Sequence, residues 1–415
     1  MRHDPPSPHD LRLLWAGLAT MVATRLALVL LLAVQPTSDM GWYYQRAIGI
    51  LDTGRYAEGA LATAFWPVGY PAFLAAVMSL AGTSVLAGQL ANLLLSVVCA
   101  LLLYRLCLRH GAGPRAAALA VCLLAVYPNH MGYSLGLYSE PLYTALLLAM
   151  CWLVRPGSGA AGLAFAGVVA GLATLVKAQM LLLVAPLAFL LSLAAWSRPA
   201  LVVALRQAVL VSALAALTLA PWVWRNHVVM GAFIPVSTNG GLSLLSGNNP
   251  SMSFDLRSDF NDTDPLFQRV NFSVADQVAA DGRARAAAWA WIRDNPLTFV
   301  ALMPKKFVRL WLPDGETEWI LQRGYAGYER WQTAFRAVRV ANQLYYFALL
   351  AGFAWALYRC VRMRDPATLV VPLLLLFFSA LSLVFSGQSR YHAPLMPFVI
   401  GYAAWASVRW WQRPQ

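Results

Sequence analysis

Long apolar runs separated by short polar breaks dominate the chain. Ten approach the roughly 20 residues that cross a bilayer: 13–34, 85–108, 115–131, 138–154, 159–176, 178–196, 202–222, 341–360, 367–386 and 391–410. They predict spanning helices, several of them short enough to be tilted or broken. A further run, Val68 to Ala81, follows Pro67, contains Pro71 and has only 14 residues. It predicts a re-entrant or juxtamembrane helix. In the loop before it, Met40, Tyr43, Tyr44, Ala47, Ile48 and Leu51 recur on one helical face, and Gly54 stops that helix. Its polar residues lie off that face, so it predicts a helix resting at the membrane interface. Residues 225–340 form one long polar segment, too large for a simple connection. Within it the pattern predicts a helix near 283–294 and an apolar, Lys-bearing stretch at 297–312.

Composition agrees with that pattern. Hydrophobic residues make up 60% and charged residues 12% of the 415, and mean hydropathy is +0.58. A soluble domain carries roughly 25% charged residues. A soluble enzyme, a nucleic-acid-binding domain and a disordered chain are excluded as readings of the whole chain. Net charge is +13, which points to loops facing anionic lipid. With 68–81 not crossing, short loops on one side carry 13 basic residues and those on the other carry Arg46, Arg55, Lys177 and Arg390. The positive-inside bias then predicts cytoplasmic termini. Asp39, Lys177, Arg390 and residues 35–84 and 225–340 fall on the outer side. The predicted organisation is a membrane module over 1–224, the long outer loop at 225–340 and C-terminal spans at 341–415. The cysteines Cys99, Cys107, Cys122, Cys151 and Cys360 all lie in or beside apolar runs and read as core residues. The first span is too long for a cleaved signal.

Few residues are placed to carry chemistry. Asp39 follows the first span directly. It is either an N-cap of the interfacial helix or a carboxylate base at the membrane surface. Glu140, in Ser139-Glu140-Pro141, is the one acid within a candidate span. An ionisable group there is a functional candidate by default, against the simpler reading of a helix cap. Lys177, Arg225 and Arg390 put a cation at three separate outer loops, where fixed positive charge suits a phosphate. Snorkelling to lipid is the alternative for each. Arg25, midway along the first span, needs a partner inside the bundle that the sequence does not name. Lys305, Lys306 and Arg309 read as a helix lying on anionic lipid, with donor-phosphate contact as the alternative. No P-loop, H-E-x-x-H or G-x-S-x-G motif is present.

The ordered set of segments resembles a known family. It comprises Asp39 with Trp42-Tyr43-Tyr44, then Trp66-Pro67-Val68-Gly69-Tyr70-Pro71, Ser139-Glu140-Pro141 and Leu175-Val176-Lys177. Pro221-Trp222-Val223-Trp224-Arg225-Asn226, Pro235 to Gly241, Gly247-Asn248-Asn249-Pro250 and Ser389-Arg390-Tyr391-His392-Ala393-Pro394 complete it. In this order they resemble the GT-C membrane glycosyltransferases of bacteria, related to protein O-mannosyltransferases and lipid A aminoarabinose transferase. The resemblance implies an all-α bundle of about ten spans (nine to twelve), with outer juxtamembrane helices and one long outer loop. It implies a polyprenyl-phosphate sugar donor and inverting transfer to a lipid, glycan or protein acceptor. The outer face of the bacterial inner membrane is the implied location. Asp39 matches the family's base and Glu140 its second acid. Lys177, Arg225 and Arg390 are then the donor-phosphate residues, with Tyr43, Trp66, Tyr70, Asn239, Asn248, Tyr391 and His392 as candidates for the sugar or acceptor pocket. No nucleic-acid partner and no obligatory cofactor are implied. A divalent ion bridging Asp39, Glu140 and the phosphate is not favoured, because one carboxylate per loop is thin ligation. Asp39 stands alone where some relatives carry paired acids, and the soluble C-terminal domain of some relatives has no counterpart. Two other classes stay open: a surface-glycan polymerase or ligase, and a lipid-linked glycan transporter.

Overall fold

A computed structural model describes residues 5–252, 265, 270, 272–360 and 369–411. The side chain of Cys360 lies outside the described set; Cys99, Cys107, Cys122 and Cys151 are free thiols, three of them buried. Helix α1 (Pro8–Leu32) opens on a reciprocal cap. Ser7 Oγ accepts from the Asp10 amide, and Asp10 accepts from the Ser7 amide. Helix α2 (Asp39–Thr53) buries Met40, Tyr43 and Ala47 and ends at Gly54, whose φ of +66° allows its N–H to reach the Ile50 carbonyl. A short antiparallel hairpin, β1 (Ala57–Glu58) with β2 (Leu61–Ala62), follows. Helix α3 (Gly69–Ala81) is 13 residues long, or about 20 Å. That falls short of the ~30 Å hydrocarbon core.

Helix α4 (Val85–Arg109) is long, with Ser84 Oγ accepting from the Ala87 amide. The predicted span 115–131 is instead a bent pair, α5 (Pro114–Ala125) and α6 (Pro128–Leu135), turning by 58°. Pro128 forces Tyr127 into extended backbone and breaks the ladder. The carbonyls orphaned there take up Arg25. Its Nη1 donates to Ala125 O at 3.0 Å and its Nη2 to Leu124 O at 3.3 Å, with His130 Nδ1 at 3.0 Å. The partner of this fully buried cation is thus a helix C-terminus, where positive charge is favoured.

Helices α7 (Glu140–Leu153), α8 (Ala160–Val176), α9 (Met180–Ser192) and α10 (Arg198–Met230) complete the N-terminal half. α8 and α10 approach closely because Gly167 and Gly171 face Leu214 and Thr218, with 2.5 Å between each added Cβ and its neighbour. Gly69 does the same where α3 meets α8, since a Cβ there would stand 2.6 Å from the Leu175 carbonyl.

The outer segment contains α11 (Gly240–Ser246), α12 (Gln277–Asp294), α13 (Pro296–Trp311) and α14 (Glu316–Gly324). Helix α15 (Tyr328–Cys360) returns to the bundle, followed by α16 (Val370–Val384), a 3₁₀ turn (Ser389–Leu395) and α17 (Met396–Trp411). Among the described residues, α1, α4, α10 and α15 are long and apolar enough to cross a membrane, and the bent pair is a fifth candidate. The chain is a multi-pass, predominantly helical membrane protein.

One expectation fails on α13. Lys305 and Lys306 do not lie on lipid; both are buried. Lys306 Nζ donates to Asn248 Oδ1 at 2.8 Å and to Leu383 O at 3.2 Å. Burial pushes its pKa down to about 8. The polar face of α13 is covered by the end of α16 and by the Asn248 turn, a tertiary arrangement that helical periodicity does not encode.

Candidate active site

The first outer loop is tied down before it presents any chemistry. Arg46 stacks over Trp42 at 5.3 Å and pairs with Glu58 at 3.5 Å. Ser38, at the entrance to α2, has φ +51°, a left-handed conformation that costs a non-glycine residue energy. This strained residue directly precedes Asp39. Asp39 does not cap α2, which has no side-chain cap bond. Its Oδ2 instead accepts from Arg390 Nη1 at 2.9 Å, across 351 residues of sequence.

The second acid is paired as well. Glu140, at the first turn of α7, accepts from Lys177 Nζ at 2.8 Å. Its carboxylate is 3% exposed while Lys177 keeps 21%. Lys177 is fixed by its place at the end of α8, where Gly69 packs against the chain. The two ion pairs share one neighbourhood. Burial holds the Tyr43 hydroxyl well above its usual pKa, Asp39 and Glu140 add to the effect, and Arg390 opposes it. Tyr43 therefore remains a neutral hydroxyl near both pairs. Burial alone would weaken the Arg390 charge, but Tyr391, Asp39 and Glu140 more than reverse this, and the guanidinium is held firmly cationic.

Three polar atoms around these pairs are buried without a partner: Arg390 Nε, Thr37 Oγ1 and the Tyr133 hydroxyl. An orphaned buried donor costs about 1–3 kcal/mol, a cost that a water or a ligand oxygen would remove.

The remaining candidates divide. Arg225 turns toward the protein, donating to Thr63 O at 2.8 Å and to Tyr56 O at 2.5 Å, and so holds the first outer loop. Tyr70 is buried against Asn92, whose Nδ2 donates to its hydroxyl at 3.0 Å. Asn248 is buried on Lys306. His392 is fully buried between Trp311 and Tyr346, with ring centroids at 5.7 and 5.1 Å. Trp66, Asn239 and Tyr391 remain partly exposed.

A third carboxylate belongs to the neighbourhood and was missed by the sequence reading. Glu316, the first residue of α14, accepts from Ser389 Oγ at 2.8 Å and acts electrostatically on Tyr133 and Tyr138. The signal for it was present: Asp314-Gly315-Glu316 follows an apolar stretch directly, as Asp39 follows the first span.

Among the described residues no group of three or more His, Cys, Asp or Glu is placed to hold a metal. Asp39 and Glu140 each already face a cation of the chain itself. This donor set does not fit a divalent ion without displacing both, and no step is assigned to one.

Residues 66–224 match the family model of dolichyl-phosphate-mannose-protein mannosyltransferase. No curated protein sequence matches the chain. Among solved structures, the archaeal oligosaccharyltransferase AglB from Archaeoglobus fulgidus, in complex with an inhibitory peptide and a dolichol-phosphate, is similar with a TM-score of 0.55. The identity is 16%, over 97% of this chain and 50% of that one. An A. fulgidus oligosaccharyltransferase in complex with Zn and sulfate gives 0.56 at 16% identity, over 95% and 49%. ArnT from Cupriavidus metallidurans, bound to undecaprenyl phosphate, gives 0.44 at 14%, over 96% and 77%. The likeness to the archaeal enzymes is one of fold, and this chain spans about half their length.

Proposed function

We propose that this GT-C-fold chain, related to the protein O-mannosyltransferases, is an inverting glycosyltransferase. It moves a sugar from a polyprenyl-phosphate donor to a lipid, glycan or protein acceptor at the outer membrane face. The observation that carries the reading is the Asp39–Arg390 pair with its orphaned Arg390 Nε. A base and a phosphate-binding cation are the two groups that this reaction requires. Arg390 has five N–H donors in a planar fork and can hold a carboxylate and a phosphate together. A donor phosphate that draws on the guanidinium loosens its hold on Asp39, whose carboxylate then accepts the proton of the acceptor hydroxyl. The hydroxyl oxygen bonds to the anomeric carbon. The carbon–oxygen bond to phosphate breaks, and its electron pair leaves with the polyprenyl phosphate beside Arg390. Lys177 supplies a second positive charge, and Glu140 fixes the position of that lysine.

The test is transfer of radiolabelled sugar from polyprenyl-phosphate donors by the purified chain in nanodiscs. Mass spectrometry of cell-surface lipids and glycans with and without the gene identifies the acceptor. Absence of transfer from every prenyl-phosphate sugar would favour the ligase or transporter class. The proposed orientation puts residues 109–115 in the cytoplasm. A membrane-impermeant thiol reagent should label Gly59→Cys from outside but leave Gly111→Cys untouched, whereas labelling at 111 would invert that end of α4.

Glu140→Gln is expected to retain partial activity. The amide oxygen still accepts from Lys177, and exchanging a charged for a neutral partner costs about 1 kcal/mol, or roughly fivefold in rate. A dead Glu140→Gln beside an active Asp39→Asn would reverse the two roles.

A further inference from the structure

We propose that Asp314 and Glu316 are positioning residues that hold the turn bearing Arg390, and with it the site's principal cation. The inference rests on the phosphate role given to Arg390 above. Arg390 lies in the 3₁₀ turn, and its immediate neighbour Ser389 and near neighbour His392 flank it. Each of the two is gripped by a different carboxylate of the α13–α14 connection. Glu316 Oε1 accepts from Ser389 Oγ at 2.8 Å. Asp314 Oδ1 lies 3.2 Å from His392 Nε2, while His392 Nδ1 lies 2.5 Å from Leu310 O. Both ring nitrogens therefore face oxygens that only accept, and two aromatic planes close the ring in from either side.

Asp314 is itself over-determined. It is almost fully buried, and its carboxylate accepts from the Tyr127 hydroxyl at 2.6 Å, from Asn342 Nδ2 at 2.9 Å and from Asn129 Nδ2. Its amide donates to Gln343 Oε1 at 3.0 Å, and its carbonyl accepts from Asn342 Nδ2 at 2.6 Å. The anchor is thus built into α6 and α15, outside the loop that carries the cation. A buried carboxylate with this many partners also contributes to folding. The specific feature is that its remaining contact, with Glu316 beside it, is spent on both flanks of Arg390. Among the described residues the guanidinium forms one side-chain ion pair, so the placement of its turn decides where its Nε points.

The experiment uses the full chain in nanodiscs, as wild type, Asp314→Asn, Glu316→Gln and His392→Gln, each also combined with Arg390→Ala. Hydrogen exchange is read by mass spectrometry, and donor kinetics are measured in parallel. The expected result is faster exchange in residues 386–395 with α4 and α8 unchanged. The expected kinetic loss is about tenfold to hundredfold in kcat/KM, the scale of a small misplacement of a reacting group, seen mainly as a raised donor KM. In the Arg390→Ala background the same substitutions should add nothing. Unchanged exchange in the turn, or losses that multiply with that of Arg390→Ala, would overturn the proposal. If Asp314→Asn does not fold, Glu316→Gln and His392→Gln decide it. A wild type that transfers no sugar defeats the glycosyltransferase reading, while the exchange data still decide whether the carboxylates hold the turn.

Discussion

Asp39→Asn is expected to give a stable, membrane-inserted protein whose sugar transfer is slower by at least the ~100-fold typical of a lost general base. The substitution preserves shape. The asparagine oxygen can still accept from Arg390 Nη1, and no helix cap is lost because Asp39 does not form one. What disappears, on the proposed mechanism, is the ability to take a proton from the acceptor. Initial rates in nanodiscs, after size-exclusion chromatography has shown a monodisperse sample, measure the effect. Full activity would remove Asp39 from the chemistry and favour a polymerase, ligase or transporter.

Arg390→Ala should lower donor use by roughly tenfold to hundredfold, because a charge-assisted hydrogen bond to the leaving phosphate contributes about 1.5–3 kcal/mol. Part of the loss arises at Asp39, which is left without its cation. Arg390→Lys separates the two contributions. It restores a positive charge but not the planar fork that reaches carboxylate and phosphate at once. It should therefore recover only part of the rate. Donor KM and kcat measured for both variants decide the matter, and values equal to wild type would mean that Arg390 merely touches lipid.

Much of this arrangement was legible in the sequence because it is local. Apolar runs located the bundle helices, and the i, i+3, i+4 pattern from Met40 to Leu51 located α2, with Gly54 as its stop. Placement of Asp39 and Glu140 at the entrances of α2 and α7 followed from the same breaks. Pairing was not legible. Nothing local says that Asp39 meets Arg390 or that Glu140 meets Lys177, since each match depends on how distant helices pack. Arg25 shows the limit in another form. Its partners are backbone carbonyls exposed by the Pro128 break, and a search among acidic side chains cannot find them. Arg225 was legible as a cation near the site, but its two carbonyl acceptors became visible only when the first outer loop was seen folded beneath it. Glu316 went unnoticed because it is one of many acids in the long outer segment, and its proximity to the site depends on the 3₁₀ turn.

The 351-residue separation between Asp39 and Arg390 has a consequence for when the protein becomes active. Synthesis at roughly 5–20 residues per second leaves about 20 to 70 s between the emergence of the two residues. During that interval the earlier helices are already entering the bilayer, where prenyl-phosphate sugars reside. On the proposed mechanism, the nascent chain then has its base but not the cation that holds the leaving group. A ribosome stalled before residue 390 thus leaves an inserted intermediate that lacks this cation.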